Sequence, residues 1–260
     1  MTDELVWWPR DPDVAAGRVA VVTVSYNTRE LTAFLLWSLR NIVAWPDLEI
    51  VVVDNGSRDG SARYLAEAAR AGVCTLLAND DNRQHGPGLN QGIAHLAARP
   101  GPHPEWVWVL DSDVVATRPD ALSAAVATAR EHGAALVGEP QNDQWHADSR
   151  FGLFSLLIDP AVVWQASVGP FVDGGDPSFD LLTSAARQGV PMAAFPFTAE
   201  GHVIHRGRGT LAAVHAAGER DHPLYTWAET HHAAHYAEVP GADQRYQTLL
   251  SRFHEEVNLG

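Results

Sequence analysis

Short β-branched runs that end in clusters of Asp, Asn, Ser and Gly recur along the first half of the chain. Val19-Ala20-Val21-Val22-Thr23-Val24 leads into Ser25-Tyr26-Asn27, and Leu48-Glu49-Ile50-Val51-Val52-Val53 leads into Asp54-Asn55-Gly56-Ser57. Continuous apolar runs of this length mark strands buried on both faces. Between them Leu31, Phe34, Leu35, Leu39 and Ile42 fall at helical spacing, which predicts a helix over 30–43. The alternation continues with a helix at 61–71, a strand at 73–78, a loop at 79–88, a helix at 89–98 and a strand at 106–110. A helix at 120–132, strands at 134–138 and 151–158 around a polar loop, and a helix at 179–188 stopped by Gly189 complete the pattern. Strands alternating with helices predict an α/β fold, a mainly parallel sheet flanked by helices.

Such sheets gather their ligands at the carboxyl ends of the strands. Those ends read Ser25-Tyr26-Asn27, Asp54-Asn55-Gly56-Ser57, Asn79-Asp80 and Asp111-Ser112-Asp113. Each alone is an ordinary turn sequence, but four on one rim make a candidate site. In Asp111-Ser112-Asp113 two carboxylates leave the end of an apolar strand two residues apart and can face one cleft. Hard oxygen ligands on a short loop suit Mn²⁺ or Mg²⁺, which keep waters and substrate phosphate oxygens as their other ligands. Such an ion would stabilise the charge on a departing nucleotide diphosphate.

Length and charge narrow the partners. At 260 residues the default is a single domain with a C-terminal appendage: an extension over 1–17, a catalytic domain over 18–210 with halves at 18–118 and 119–210, and a helical extension over 211–260. A net charge of −14 argues against nucleic acid or an anionic membrane as the main partner. No secretory leader and no apolar run of about 18 residues is visible, so a cytoplasmic location without integral membrane contact is expected. The lone Cys74 sits in an apolar run and reads as a core residue.

Four segments together resemble family 2 glycosyltransferases with the GT-A fold. They are Val22-Thr23-Val24-Ser25-Tyr26-Asn27, Val51 to Ser61, Gly86-Pro87-Gly88-Leu89-Asn90-Gln91-Gly92-Ile93, and Val109-Leu110-Asp111-Ser112-Asp113. They stand in the family's order within the first 120 residues or so. The resemblance implies a nucleotide-sugar donor, with a UDP-sugar favoured, bordered by Ser25 and Asn27. It places Asp54 on the base or ribose, Asp111 with Ser112 near the ribose or the metal waters, and Asp113 on the metal. Gly88, Leu89 and Asn90 would close over the base and donor sugar.

The second half departs from the family. Inverting members supply an acid-acid pair just before a helix, and here Pro177 and Ser178 stand in its place. Asp176 is the nearest carboxylate and the first choice as base, with Asp173 and Asp180 behind it; Asp180 suits a helix cap equally well. His202-Val203-Ile204-His205-Arg206-Gly207 resembles a late family segment, which makes His205, ahead of His202, a candidate metal ligand, with Arg206 and Arg208 beside the phosphates. His231, His232 and His235 read as an exposed helical face, and Trp145 and Trp164 are candidates to stack on an acceptor ring. A soluble acceptor of unknown identity is expected. Two alternatives stay open. One is a sugar nucleotidyltransferase, although its Gly-rich phosphate loop after the first strand is missing. The other is a nucleotide-sugar-binding protein without catalysis.

Overall fold

The structure, a computed structural model, describes residues 8–9, 12–141, 150–172, 177–222, 224–231, 233, 239–257 and 259. Its elements are β1 (Val14–Ser25), α1 (Arg29–Asn41), β2 (Leu48–Asn55), α2 (Ser61–Arg70), β3 (Thr75–Asn79), α3 (His85–Ala98), β4 (His103–Leu110), β5 (Val114–Ala116) and α4 (Ala121–His132). They continue with β6 (Leu136–Gln141), β7 (Arg150–Ile158), α5 (Pro160–Gln165), α6 (Phe179–Arg187), β8 (Met192–Ala194), β9 (Val203–His205), α7 (Gly209–Ala217), α8 (Tyr225–His231) and α9 (Ala242–Glu256). A seven-stranded sheet runs β3-β2-β1-β4-β7-β6-β8, and β5 pairs with β9 in a second small sheet. The first four strands in that order are parallel, while β7 lies antiparallel to both β4 and β6. This is the expected α/β architecture with a mostly parallel central sheet.

The sheet is covered on both faces because its central strands are apolar throughout. Side chains of α1, α2 and α4 pack on one face around Trp108, Leu35 and Ile50. Those of α3, α5 and α6 pack on the other around Val22, Val53, Leu89 and Leu182. A third cluster joins α9 to α1 through Phe34, Trp37, Tyr246 and Phe253. Trp37 also donates its indole N–H to Glu256 at 2.7 Å, so the end of the described chain is tied to the first helix.

Several boundaries differ from the sequence pattern for identifiable reasons. β1 starts at Val14, five residues earlier than its apolar run suggests, because Gly17 bulges outward at φ 79° and its N–H bonds Glu105 at 2.7 Å. α3 starts at His85, inside the expected loop, and so takes in Gly88 and Gly92. A Cβ on Gly88 would stand 2.9 Å from Val24 Cγ2, and one on Gly92 would stand 2.5 Å from Val22 Cγ1. Those glycines therefore serve close helix-on-strand packing rather than a flexible turn.

The proposed acceptor-stacking role of Trp164 does not survive. The ring is buried in the core and stacks on Trp8 with centroids 5.8 Å apart, out of reach of a ligand. Trp145 lies outside the described residues, as do His232 and His235, while His231 stacks on Trp227 at the end of α8. Cys74 is buried as expected. Among the described residues, no helix is long and apolar enough to cross a membrane.

Candidate active site at the ends of the central strands

The parallel pairing of β1 and β2 sets Ser25 beside Asp54 at the carboxyl rim. Two backbone N–H bonds then sew the following loops together. Asn27 N–H donates to Ser57 Oγ at 2.9 Å, and Arg58 N–H donates to Asn27 Oδ1 at 2.7 Å. Asn27 holds a left-handed φ of 52°, a conformation Asn tolerates better than most side chains. Asp54 Oδ2 accepts from Ser57 N–H at 3.2 Å, whereas its buried Oδ1 has no hydrogen-bond partner. Burial raises the Asp54 carboxyl above the ordinary carboxylate range, and the bonds from Ser57 offset only part of that.

At the end of β4 the chain turns over Asp111-Ser112-Asp113. Asp111 N–H is held by the Phe154 carbonyl at 3.1 Å, and Val114 N–H closes the turn on the Asp111 carbonyl at 3.1 Å. Pairing of Val114 with His205 across β5 and β9 delivers the imidazole to the two acids. His205 Nε2 lies 3.4 Å from Asp113 Oδ1 and 3.6 Å from Asp111 Oδ2. Its ring lies flat on Phe154, with centroids 4.6 Å apart and planes 7° apart. His202, the competing histidine, is buried at the opposite end of β9 with its ring against Phe195.

Asp113 is almost fully enclosed. Its Oδ2 accepts from Gly209 N–H, the first amide of α7, at 2.8 Å, and its carbonyl accepts from Arg206 N–H at 3.0 Å. Burial alone would push its carboxyl upward, but His205, Gly209 and Arg206 outweigh that and hold it below the ordinary range. His205 is raised in turn: burial pulls it down, and the attraction of Asp113 more than reverses this. One ligand atom each from Asp111, Asp113 and His205 lie within 4.8 Å of one another. Two carboxylates and an imidazole, already close and partly charged, fit a Mn²⁺- or Mg²⁺-type ion.

Three neighbours of this cluster escaped the sequence reading. His85 Nε2 reaches within 3.5 Å of Asp111 Oδ1 from the first turn of α3. Phe154 carries the His205 ring, and Gly209 caps Asp113. The register of β7 places Phe154, the early start of α3 places His85, and the pairing of β5 with β9 brings the segment leading to Gly209 against Asp113; none of these leaves a composition signal. Behind His205 a cleft of about 230 Å³ opens among Gln141, Phe154, Thr198, Ile204 and Val239.

The remaining sequence candidates fall in two groups. Asn90 ties α3 to Phe171: its Nδ2 donates to the Phe171 carbonyl at 2.7 Å, and its Oδ1 accepts from Phe171 N–H at 3.0 Å. Gly88 lies beneath, against Val24 and Asn55. Asp180 is exposed in the first turn of α6, where a carboxylate suits the helix dipole. Asp173 and Asp176 lie outside the described residues. Arg206 Nη1 donates to the Gly207 carbonyl at 3.2 Å, and Arg208 stands at the start of α7 with a left-handed φ of 58°.

The fold is similar to that of several solved structures. The mannosyltransferase PcManGT of Pyrobaculum calidifontis, in complex with GDP-Man and Mn²⁺, superposes with a TM-score of 0.55 at 20% identity, over 97% of this chain and 79% of that one. Glucosyl-3-phosphoglycerate synthase of Mycobacterium tuberculosis, with Mn²⁺, UDP and glucosyl-3-phosphoglycerate, gives 0.51 at 17% identity, over 77% and 80%. Residues 1–349 of TarS from S. aureus, with UDP-GlcNAc, give 0.52 at 17% identity, and the match spans 68% of this chain but only 56% of TarS 1–349. At these identities the likeness establishes the GT-A fold. No curated protein sequence matches the chain. The sequence model of the family described as "Glycosyl transferase family 2" matches residues 20–150, half of the chain, with Asp54, Asp111 and Asp113 inside it. The chain belongs to glycosyl transferase family 2.

Proposed function

We propose that the chain transfers a glycosyl group from a nucleotide-diphosphate donor, UDP-linked in preference, to a hydroxyl of a soluble acceptor, with Mn²⁺ or Mg²⁺ held by Asp111, Asp113 and His205. The observation that carries this reading is the convergence of those three side chains, within 4.8 Å, at the carboxyl end of β4. When bound, the ion neutralises charge growing on the departing diphosphate. Donors seen in the structural neighbours, UDP-GlcNAc and GDP-Man, support the nucleotide-sugar class.

The chain's own residues take the remaining roles. The buried, unpaired Oδ1 of Asp54 is an acceptor for an N–H or O–H of the base or ribose. Ser25 and Asn27 shape the loop that borders the nucleotide, and Ser112 faces it from the metal loop. Gly88 lets α3 lie close on the sheet, and Asn90 fixes Phe171 to α3, so the two keep one spacing. Val172 N–H donates to the Pro177 carbonyl at 3.3 Å. Asp176 is the proposed base for the acceptor hydroxyl, with Asp180 as the second choice.

The test is release of nucleoside diphosphate from a panel of UDP-, GDP- and dTDP-sugars with Mn²⁺, without acceptor, by wild type, Asp113→Ala and Asp176→Asn. Slow hydrolysis by wild type that vanishes in Asp113→Ala is expected. Binding without any turnover would identify a binding protein instead.

A further inference from the structure

At the Asp-Ser-Asp loop, four hydroxyls form a cluster whose donors can be worked out. Thr28 occupies the N-cap of α1, where a Thr side chain ordinarily accepts from a first-turn amide. Here it makes no such bond. Its Oγ1 lies instead 3.1 Å from Thr32 Oγ1, 3.3 Å from Ser112 Oγ and 3.5 Å from Ser25 Oγ. Thr32 donates onward to Ser25 Oγ at 3.1 Å. Ser25, Thr28 and Thr32 are all buried.

Each hydroxyl has one proton and two lone pairs. The proton of Thr32 is committed to Ser25, so the bond between Thr28 and Thr32 uses the proton of Thr28. The contacts of Thr28 with Ser112 and with Ser25 must then use the protons of those two serines, which the two lone pairs of Thr28 accept. The Ser112 proton points at Thr28, which leaves the half-buried Ser112 oxygen with its lone pairs free to accept.

We propose that Thr28 is a positioning residue of the donor site. It anchors the loop between Asp111 and Asp113 through Ser112. It also fixes Ser112 as an acceptor for an O–H group, a ribose hydroxyl or a water on the bound ion, rather than as a donor to phosphate oxygens. The inference rests on the metal-dependent donor site proposed above. It explains why a capping residue forgoes its cap: the hydroxyl joins the start of α1 to the loop after β4.

The test is calorimetric titration of whichever of UDP, GDP and dTDP wild type binds, with saturating Mn²⁺, into Thr28→Val, Thr28→Ser, Ser112→Ala and the Thr28→Val/Ser112→Ala double variant. Thr28→Val is expected to weaken binding roughly three- to tenfold, the effect of one hydrogen bond. Thr28→Ser should restore wild-type affinity, and Thr28→Val should add nothing once Ser112 is Ala. Should Thr28→Val not fold, Thr28→Ala carries the same cycle. Wild-type affinity in the Thr28 variant, or an equal loss with and without Ser112, overturns the proposal. Loss of the effect with the 2′,3′-dideoxy nucleotide identifies the ribose as the partner, and persistence identifies the water. Failure of wild type to bind any nucleotide would instead overturn the donor-site reading beneath it.

Discussion

The His205 imidazole is gripped from two sides, with its ring flat against Phe154 at 4.6 Å and its Nε2 3.4 Å from Asp113 Oδ1. The stack fixes the plane in which the nitrogen can meet an ion. Groups that orient a metal ligand typically change affinity by about 10- to 100-fold when removed. Phe154→Leu keeps the site apolar but frees the ring, and should weaken Mn²⁺-dependent nucleotide binding by about tenfold. Electron paramagnetic resonance of bound Mn²⁺ checks this, and unchanged affinity would make Phe154 a core residue only.

Asp54 couples stability to binding in opposite directions. Its carboxyl is raised by burial, so the folded chain binds that proton more tightly than the unfolded chain. The stabilising contribution is therefore present below the unfolded value of 3.8 and is lost as pH rises through the folded value. Asp54→Asn should show a higher thermal midpoint than wild type at pH 7, with the gap closing toward pH 3, yet weaker nucleotide binding. Thermal melts across pH together with titration at pH 7 decide it.

Gly209 leaves no room for a side chain. An added Cβ would stand 2.7 Å from Leu31 Cδ1 and 2.9 Å from Asp113 Oδ2. Gly209→Ala should cost about 1–3 kcal/mol of stability and, because the strain falls on Asp113, should also weaken metal-dependent binding. Chemical denaturation and titration measure the two effects separately.

Gln84 adopts φ 73° and ψ 172° just before α3, a region nearly reserved for glycine. Such strain costs of order 1–3 kcal/mol, partly offset by the greater freedom of an unfolded glycine. Gln84→Gly should raise stability by about 1 kcal/mol in denaturant titration.

The strand ends carrying Ser25, Asp54 and Asp111 were legible in the sequence because a buried parallel strand is a continuous apolar run and its polar stop is abrupt. The start of α3 was not: Gly86, Pro87 and Gly88 look like loop residues, and only the approach of Val24 to Gly88 and of the Phe171 and Val172 backbone to Gly86 shows why a helix needs glycines there. His205 was found through a family resemblance, yet its neighbours Phe154, His85 and Gly209 were not. They meet through the pairing of β5 with β9 and the antiparallel register of β7, long-range contacts that leave no periodicity in any one segment. Trp164 misled for the converse reason, since an isolated Trp on a short helix looks the same whether its partner is a sugar or Trp8.

The central claim is a metal-dependent nucleotide site at Asp113. Calorimetric titration of UDP, GDP and dTDP into wild type and Asp113→Ala, with Mn²⁺, with Mg²⁺ and with chelator, tests it most directly. The account predicts that one nucleotide binds wild type with metal, loses most of its affinity in chelator, and loses it again in Asp113→Ala. Nucleotide binding that is indifferent to metal and to Asp113, or no binding under any condition, would contradict it.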